Sequence, residues 1–132
     1  MAVPGYEKAP IQDVTNLEET KLYTPTKGID KKAVFIVNEG VSPIIYTIYT
    51  SPSGIRTTDK SYPDRTFYTE AEVAKEWAEN TSGTLNVGAR IHLNMDLITA
   101  TYIKVTAYVP GGYAYVGAAG QLRIWFMGID AK

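Results

Sequence analysis

The stretch TYIKVTAYV, residues 101–109, alternates without a break. Ile103, Val105, Ala107 and Val109 fall on one side, and Tyr102, Lys104, Thr106 and Tyr108 fall on the other. A period of two sends successive side chains to opposite faces of an extended chain, so this segment reads as a strand with one face in a core. The last apolar run, QLRIWFMG (121–128), repeats the pattern, with Leu122, Ile124 and Phe126 opposite Arg123, Trp125 and Met127.

Upstream, KAVFIVN (32–38) is apolar on both faces, as in a strand covered on both sides. IIYTIYT (44–50) is dense in β-branched and aromatic residues, the composition favoured by a pleated surface. Gly40 and Pro43 separate these two runs, which are expected to pair as antiparallel neighbours. TKLYT (20–24), TLNV (84–87) and RIHLNM (90–95) add short strands. Strands recurring at intervals of about ten residues, with turn formers between them, predict an all-β fold: an antiparallel β-sandwich, jelly-roll or Ig-like.

One helix interrupts the strands. Thr69 followed by Glu72 is a capping-box pattern, and Val73 with Trp77 makes an apolar pair four residues apart. TEAEVAKEWAEN (69–80) is therefore read as about three turns, ended by Gly83 and anchored by Trp77 on a sheet edge or an open end of the sandwich. The connection before it, residues 51–68, is long enough to predict a functional or mobile loop.

Residues 1–20 hold Pro4, Gly5 and Pro10 with no sustained periodicity, and read as an extended N-terminal arm ahead of a β-sandwich domain at 21–132. Val3, Tyr6, Ile11, Val14 and Leu17 make that arm apolar enough to be laid on another surface.

A chain of 132 residues fits one domain, and 45% hydrophobic with 20% charged residues is globular. Thirteen basic residues against fourteen acidic ones create no general field for phosphate, which argues against a nucleic-acid partner. Lys27, Lys31 and Lys32 read as a solvated group. With no cysteine there is no disulfide, thiolate nucleophile or Cys-based metal site. No apolar run approaches the roughly 20 residues of a membrane helix, and the first residues lack the order of a secretory signal. The sequon at Asn80–Ser82 is accordingly read as chance.

PGGYAYVGAAG (110–120) has the glycines of a phosphate loop, but a strand rather than a helix follows and no Lys-Ser/Thr pair closes it. It reads as a hairpin connection whose Tyr113, Tyr115 and Val116 are candidates for a subunit contact, since tyrosine gives broad area at low entropy cost. His92, the single histidine, has no GxSxG serine to serve. Asp59 and Asp64 in the long loop, and Asp96 near His92, are the carboxylates that glycan hydrolysis would call on, and loop aspartates are ordinarily turn formers. Tyr102, Lys104 and Tyr108 with Arg123 and Trp125 offer an aromatic and basic face of the kind that stacks bases. The charge balance favours protein contact instead. No catalytic residue, cofactor or metal site is assigned, and the chain is read as non-enzymatic.

TYIKVTAYV followed by LRIWFMGI resembles the closing strand pair of small β-sandwich structural proteins of tailed bacteriophages, which decorate or cement capsids. That resemblance implies a virion protein that binds a capsid lattice between major capsid subunits, often as a trimer or dimer. A carbohydrate-binding or adhesion module, with Tyr62, Phe67, Tyr68 and Trp77 as a stacking surface, is the alternative.

Overall fold

A computed structural model describes residues 9–110 and 120–130. Eight strands and one helix follow in the order β1 (Gln12–Val14), β2 (Glu19–Pro25), β3 (Ile29–Asn38), β4 (Ile44–Ser51), α1 (Glu70–Ala74), β5 (Ala78–Leu85), β6 (Arg90–Asn94), β7 (Tyr102–Tyr108) and β8 (Gly120–Asp130). They form two four-stranded antiparallel sheets, β1-β8-β3-β6 and β2-β7-β4-β5. The fold is all-β, and this interleaved order is that of an eight-stranded jelly roll rather than an Ig-like sandwich.

The core lies between the sheets. Val34 and Ile36 of β3, Ile44 and Ile48 of β4, Ile103, Val105 and Ala107 of β7, Val109 and Leu122 are all fully buried. The alternation at 101–109 is thus realised face by face. Burial of such side chains stabilises by roughly 1.5–3 kcal/mol each before entropy is counted, so these strands dominate the stability of the domain.

Several expectations are corrected. The runs at 32–38 and 44–50 do not pair: β3 lies between β6 and β8 in one sheet, and β4 between β5 and β7 in the other. Except for β4 and β5, which pair in one sheet, consecutive strands cross from sheet to sheet, and the apolar face of each meets the opposite layer. The predicted three-turn helix is a single turn with its capping box intact, Thr69 accepting from the Glu72 amide and Glu72 from the Thr69 amide. Residues 78–80 leave the helix for β5 because β4 offers them ladder partners, Thr50 opposite Ala78 and Tyr49 opposite Glu79. Gly83 does not end a helix. It sits within β5 opposite Tyr46, and a Cβ there would come within 2.8 Å of the Tyr46 hydroxyl.

The boundary at residue 20 also moves. β1 is an edge strand of the first sheet, pairing with residues 120–122 of β8, and Val14 is fully buried in the domain's own core rather than free for a partner. β2 begins at Glu19. Lys32 is buried as well, its ammonium donating to the Ile29 carbonyl at 3.1 Å, so it is not part of a solvated lysine group.

Candidate functional site

The jelly-roll connections alternate between two ends of the sandwich. The turns β1–β2, β3–β4, β5–β6 and β7–β8 share one end, as the registers Val14 with Gly120, Glu19 with Ala107, Asn38 with Leu122, and Ile44 with Leu85 require. Asn38, buried, ties this end together. Its amide nitrogen donates to the carbonyls of Ser42 (2.9 Å) and Leu85 (3.0 Å), and its backbone N–H donates to Ala89 O (2.9 Å). Val109 N–H donates to Thr15 O at 2.7 Å and Glu39 N–H to Gln121 O at 2.9 Å.

Around that rigid base, three separate turns each expose a large apolar residue: Leu17 (67%), Val41 (77%) and Val87 (54%). Pro110 and Gly120, the flanks of the tyrosine-rich stretch, lie at the same end. Scattered exposed apolar residues are ordinary, but three of them on separate turns at one end of the sandwich have the character of a contact surface. Val41 and Val87 are absent from the sequence reading because isolated apolar residues in turns carry no period; only the topology brings them to the same end as Leu17.

The outer face of the first sheet offers a second apolar area. Its middle row is His92, Phe35 and Trp125, mutually in register on β6, β3 and β8, with ring centroids 6.3 Å and 5.6 Å apart. Phe35 and Trp125 are half-buried, His92 is exposed, and Met127 further along β8 is 42% exposed. Trp125 Nε1 is buried and has no hydrogen-bond partner among the described residues, a donor whose burial costs about 1–3 kcal/mol until an acceptor meets it. At the margin of this face Arg123 donates to Ala9 O at 2.5 Å and pairs with Glu39 at 3.6 Å.

The second sheet is different. The row Tyr23, Lys104 and Tyr49 crosses β2, β7 and β4. Trp77 lies over it, 6.0 Å from the Tyr23 ring and with its own ring 4.6 Å from the Lys104 ammonium. Trp77 Nε1 donates to Ile55 O at 2.8 Å, which fastens the long connection above the sheet. Gly54 in that connection accepts from the Tyr23 hydroxyl. Gly54 has φ +69° and sits against the Tyr102 ring, where any Cβ would collide. Arg56 stacks over Tyr23 at 4.4 Å and lies 3.8 Å from Asp59. Burial raises the Tyr23 and Tyr49 hydroxyls above the usual tyrosine range, while burial holds the Lys104 ammonium below the usual lysine range against the opposing pull of Glu18.

Of the residues singled out by sequence, Val3, Tyr6, Tyr113, Tyr115 and Val116 lie outside the described residues. Ile11 is 46% exposed just before β1, and Leu17 is exposed in the β1–β2 turn. The face proposed for base stacking does not exist as one surface: Tyr102, Lys104 and Tyr108 are on the outside of the second sheet, Arg123 and Trp125 on the outside of the first. The aromatic set Tyr62, Phe67, Tyr68 and Trp77 is likewise divided, with Tyr62 90% exposed, Phe67 58% exposed and Trp77 buried beneath its own loop. Asp59 closes a local turn by accepting from the Arg56 amide at 2.9 Å, and Asp96 accepts from the Lys32 amide at 2.8 Å. Neither carboxylate is paired with a second acid or with His92. Among the described residues no group of three or more His, Cys, Asp or Glu side chains could hold a metal ion, and no helix is long and apolar enough to cross a membrane.

No protein-family model matches the chain, and no curated protein matches it. A solved structure described as the crystal structure of PirA is similar, with a TM-score of 0.53 at 16% sequence identity, covering 92% of this chain and 95% of that one. At that identity the likeness supports the fold, end to end, and leaves function to the side chains.

Proposed function

We propose that this chain is a non-enzymatic structural protein that holds neighbouring subunits together, a capsid lattice of a virion being the partner that the strand-pair resemblance implies. The observation that carries the binding role is the apolar crown of Leu17, Val41 and Val87 on a hydrogen-bonded end of the sandwich. Jelly rolls serve both as capsid domains and as lectins, so the fold alone does not choose between the two readings. The division of the proposed sugar-stacking aromatics, with Trp77 covered, favours subunit contact over that stacking surface.

The test is sedimentation of the native protein alone and with assembled particles, beside a Leu17→Ser/Val41→Ser/Val87→Ser variant. Wild type is expected to run as an oligomer or to cosediment, and the variant to melt at an unchanged temperature but remain free. A wild-type monomer that never cosediments, or a variant that binds equally, removes the proposal.

A further inference from the structure

On the roofed side of the second sheet, a cleft of about 400 Å³ opens between the sheet and the long connection. Arg56, Lys104, Tyr23, Thr20, Thr57 and Thr58 supply its polar lining, and Ile55 with Val73 forms an apolar wall. Two cations and no carboxylate line this space.

Arg56 keeps one long ion pair and a ring stack on Tyr23, and among the described residues Lys104 has ring faces alone. The Lys104 ammonium, half-buried, faces the rings of Trp77 at 4.6 Å and Tyr49 at 5.2 Å, and among the described residues it makes no hydrogen bond or ion pair. The nearby carboxylate of Glu18 is engaged instead by the hydroxyls of Thr106 (2.5 Å) and Tyr49 (3.1 Å). Arg56 meets Asp59 only at 3.8 Å through Nε, leaving its terminal nitrogens without a described acceptor. Ring faces stabilise a cation but satisfy none of its N–H directions, and charged donors make the stronger hydrogen bonds when an oxyanion arrives.

We infer that this cleft binds the oxyanion of a small organic ligand, a carboxylate or sulfate held between Arg56 and Lys104, with the ligand's apolar body against Ile55 and Val73. The three threonine hydroxyls suit the remaining polar edges of such a ligand. Trp77 rests on Lys104, so occupancy alters the environment of a natural fluorophore. The site lies on the outer face of the second sheet and uses none of the crown residues Leu17, Val41 and Val87, so its failure would leave the assembly reading untouched.

The experiment titrates the full chain with cyclohexanecarboxylate, inorganic sulfate and cyclohexylmethanol, read by tryptophan fluorescence and by calorimetry. Saturable binding of cyclohexanecarboxylate, weaker binding of sulfate and none of cyclohexylmethanol are expected, with sulfate binding as tightly as cyclohexanecarboxylate overturning the role of the apolar wall. Arg56→Gln, at an exposed position, is expected to fold and to weaken cyclohexanecarboxylate about 10-fold, the effect of one charge-assisted hydrogen bond. Lys104→Met is the second variant and should weaken it comparably. The proposal falls if cyclohexylmethanol binds as well as cyclohexanecarboxylate, if no anion binds saturably, or if a folded Arg56→Gln protein binds unchanged.

Discussion

The row Tyr23, Lys104 and Tyr49 on the second sheet lies under Trp77 and the Gly54–Arg56 segment, whereas the equivalent row His92, Phe35 and Trp125 on the first sheet has an exposed histidine at one end and Met127 open beside it. Both rows occupy the middle of three adjacent strands. They differ in where the chain spends its long connection: residues 52–77 return over the second sheet and bury Val73 and Trp77 there. The covered row could therefore retain a lysine among aromatics, its charge met by ring faces, while the open row is apolar and leaves an indole N–H unmet. Among the described residues, the domain covers one sheet with its own long connection and leaves the other sheet's outer face apolar and partly open.

That contrast is most severely broken at Trp77. Trp77→Ala removes the contact on Tyr23 and Lys104 and the bond to Ile55, and should cost about 3–5 kcal/mol, the range for a buried large aromatic, as read by chemical denaturation. Gly54→Ala attacks the same roof through the backbone. A side chain at φ +69° against Tyr102 should cost about 2–3 kcal/mol, with the loss visible as faster proteolysis within 52–77. Thr69→Ala removes the capping box of α1 and should cost about 1 kcal/mol. Trp125→Phe on the open sheet is expected to change stability by less than about 1 kcal/mol, because it deletes an unpaired buried donor while keeping the ring contact with Phe35. A large destabilisation by Trp125→Phe, measured in the same denaturation series, would mean that the first sheet is covered after all.

Alkaline titration sharpens the contrast further. Burial raises the hydroxyls of Tyr23, Tyr46 and Tyr49 above 10.0, so the folded chain keeps protons that the unfolded chain releases, and stability falls as pH rises past that value. Lys104 works the other way. Its folded value lies below 10.5, so between the two values the unfolded chain binds more protons and stability rises with pH. The tyrosines thus pull stability down above pH 10 while Lys104 opposes them below 10.5, and Tyr46→Phe should remove one downward contribution from the measured alkaline profile.

Much of this architecture was legible in the chain. The alternation at Ile103, Val105, Ala107 and Val109, and again at Leu122, Ile124 and Phe126, named inward faces correctly because strand geometry leaves only two directions for a side chain. The capping box at Thr69 was legible for the same local reason, being a set of contacts three residues apart. Pairing was not. Strands β3 and β4 are neighbours in sequence but belong to different layers, and no local feature of either run distinguishes a hairpin from a crossing. Nor did the twelve residues of 69–80 show where helix would yield to strand, since the decision rests with the free edge of β4.

By itself, then, the sequence determined an all-β sandwich and the capped start of one helix at Thr69, because period and capping act over a few residues along the chain. Only the tertiary structure decided the jelly-roll order, the capture of Val14 by the core, the gathering of Leu17, Val41 and Val87 at one end, and the meeting of Arg56 and Lys104 in the lining of one cleft. Those depend on which layers meet across tens of residues, where the balance of burial against loop closure is struck by the whole domain.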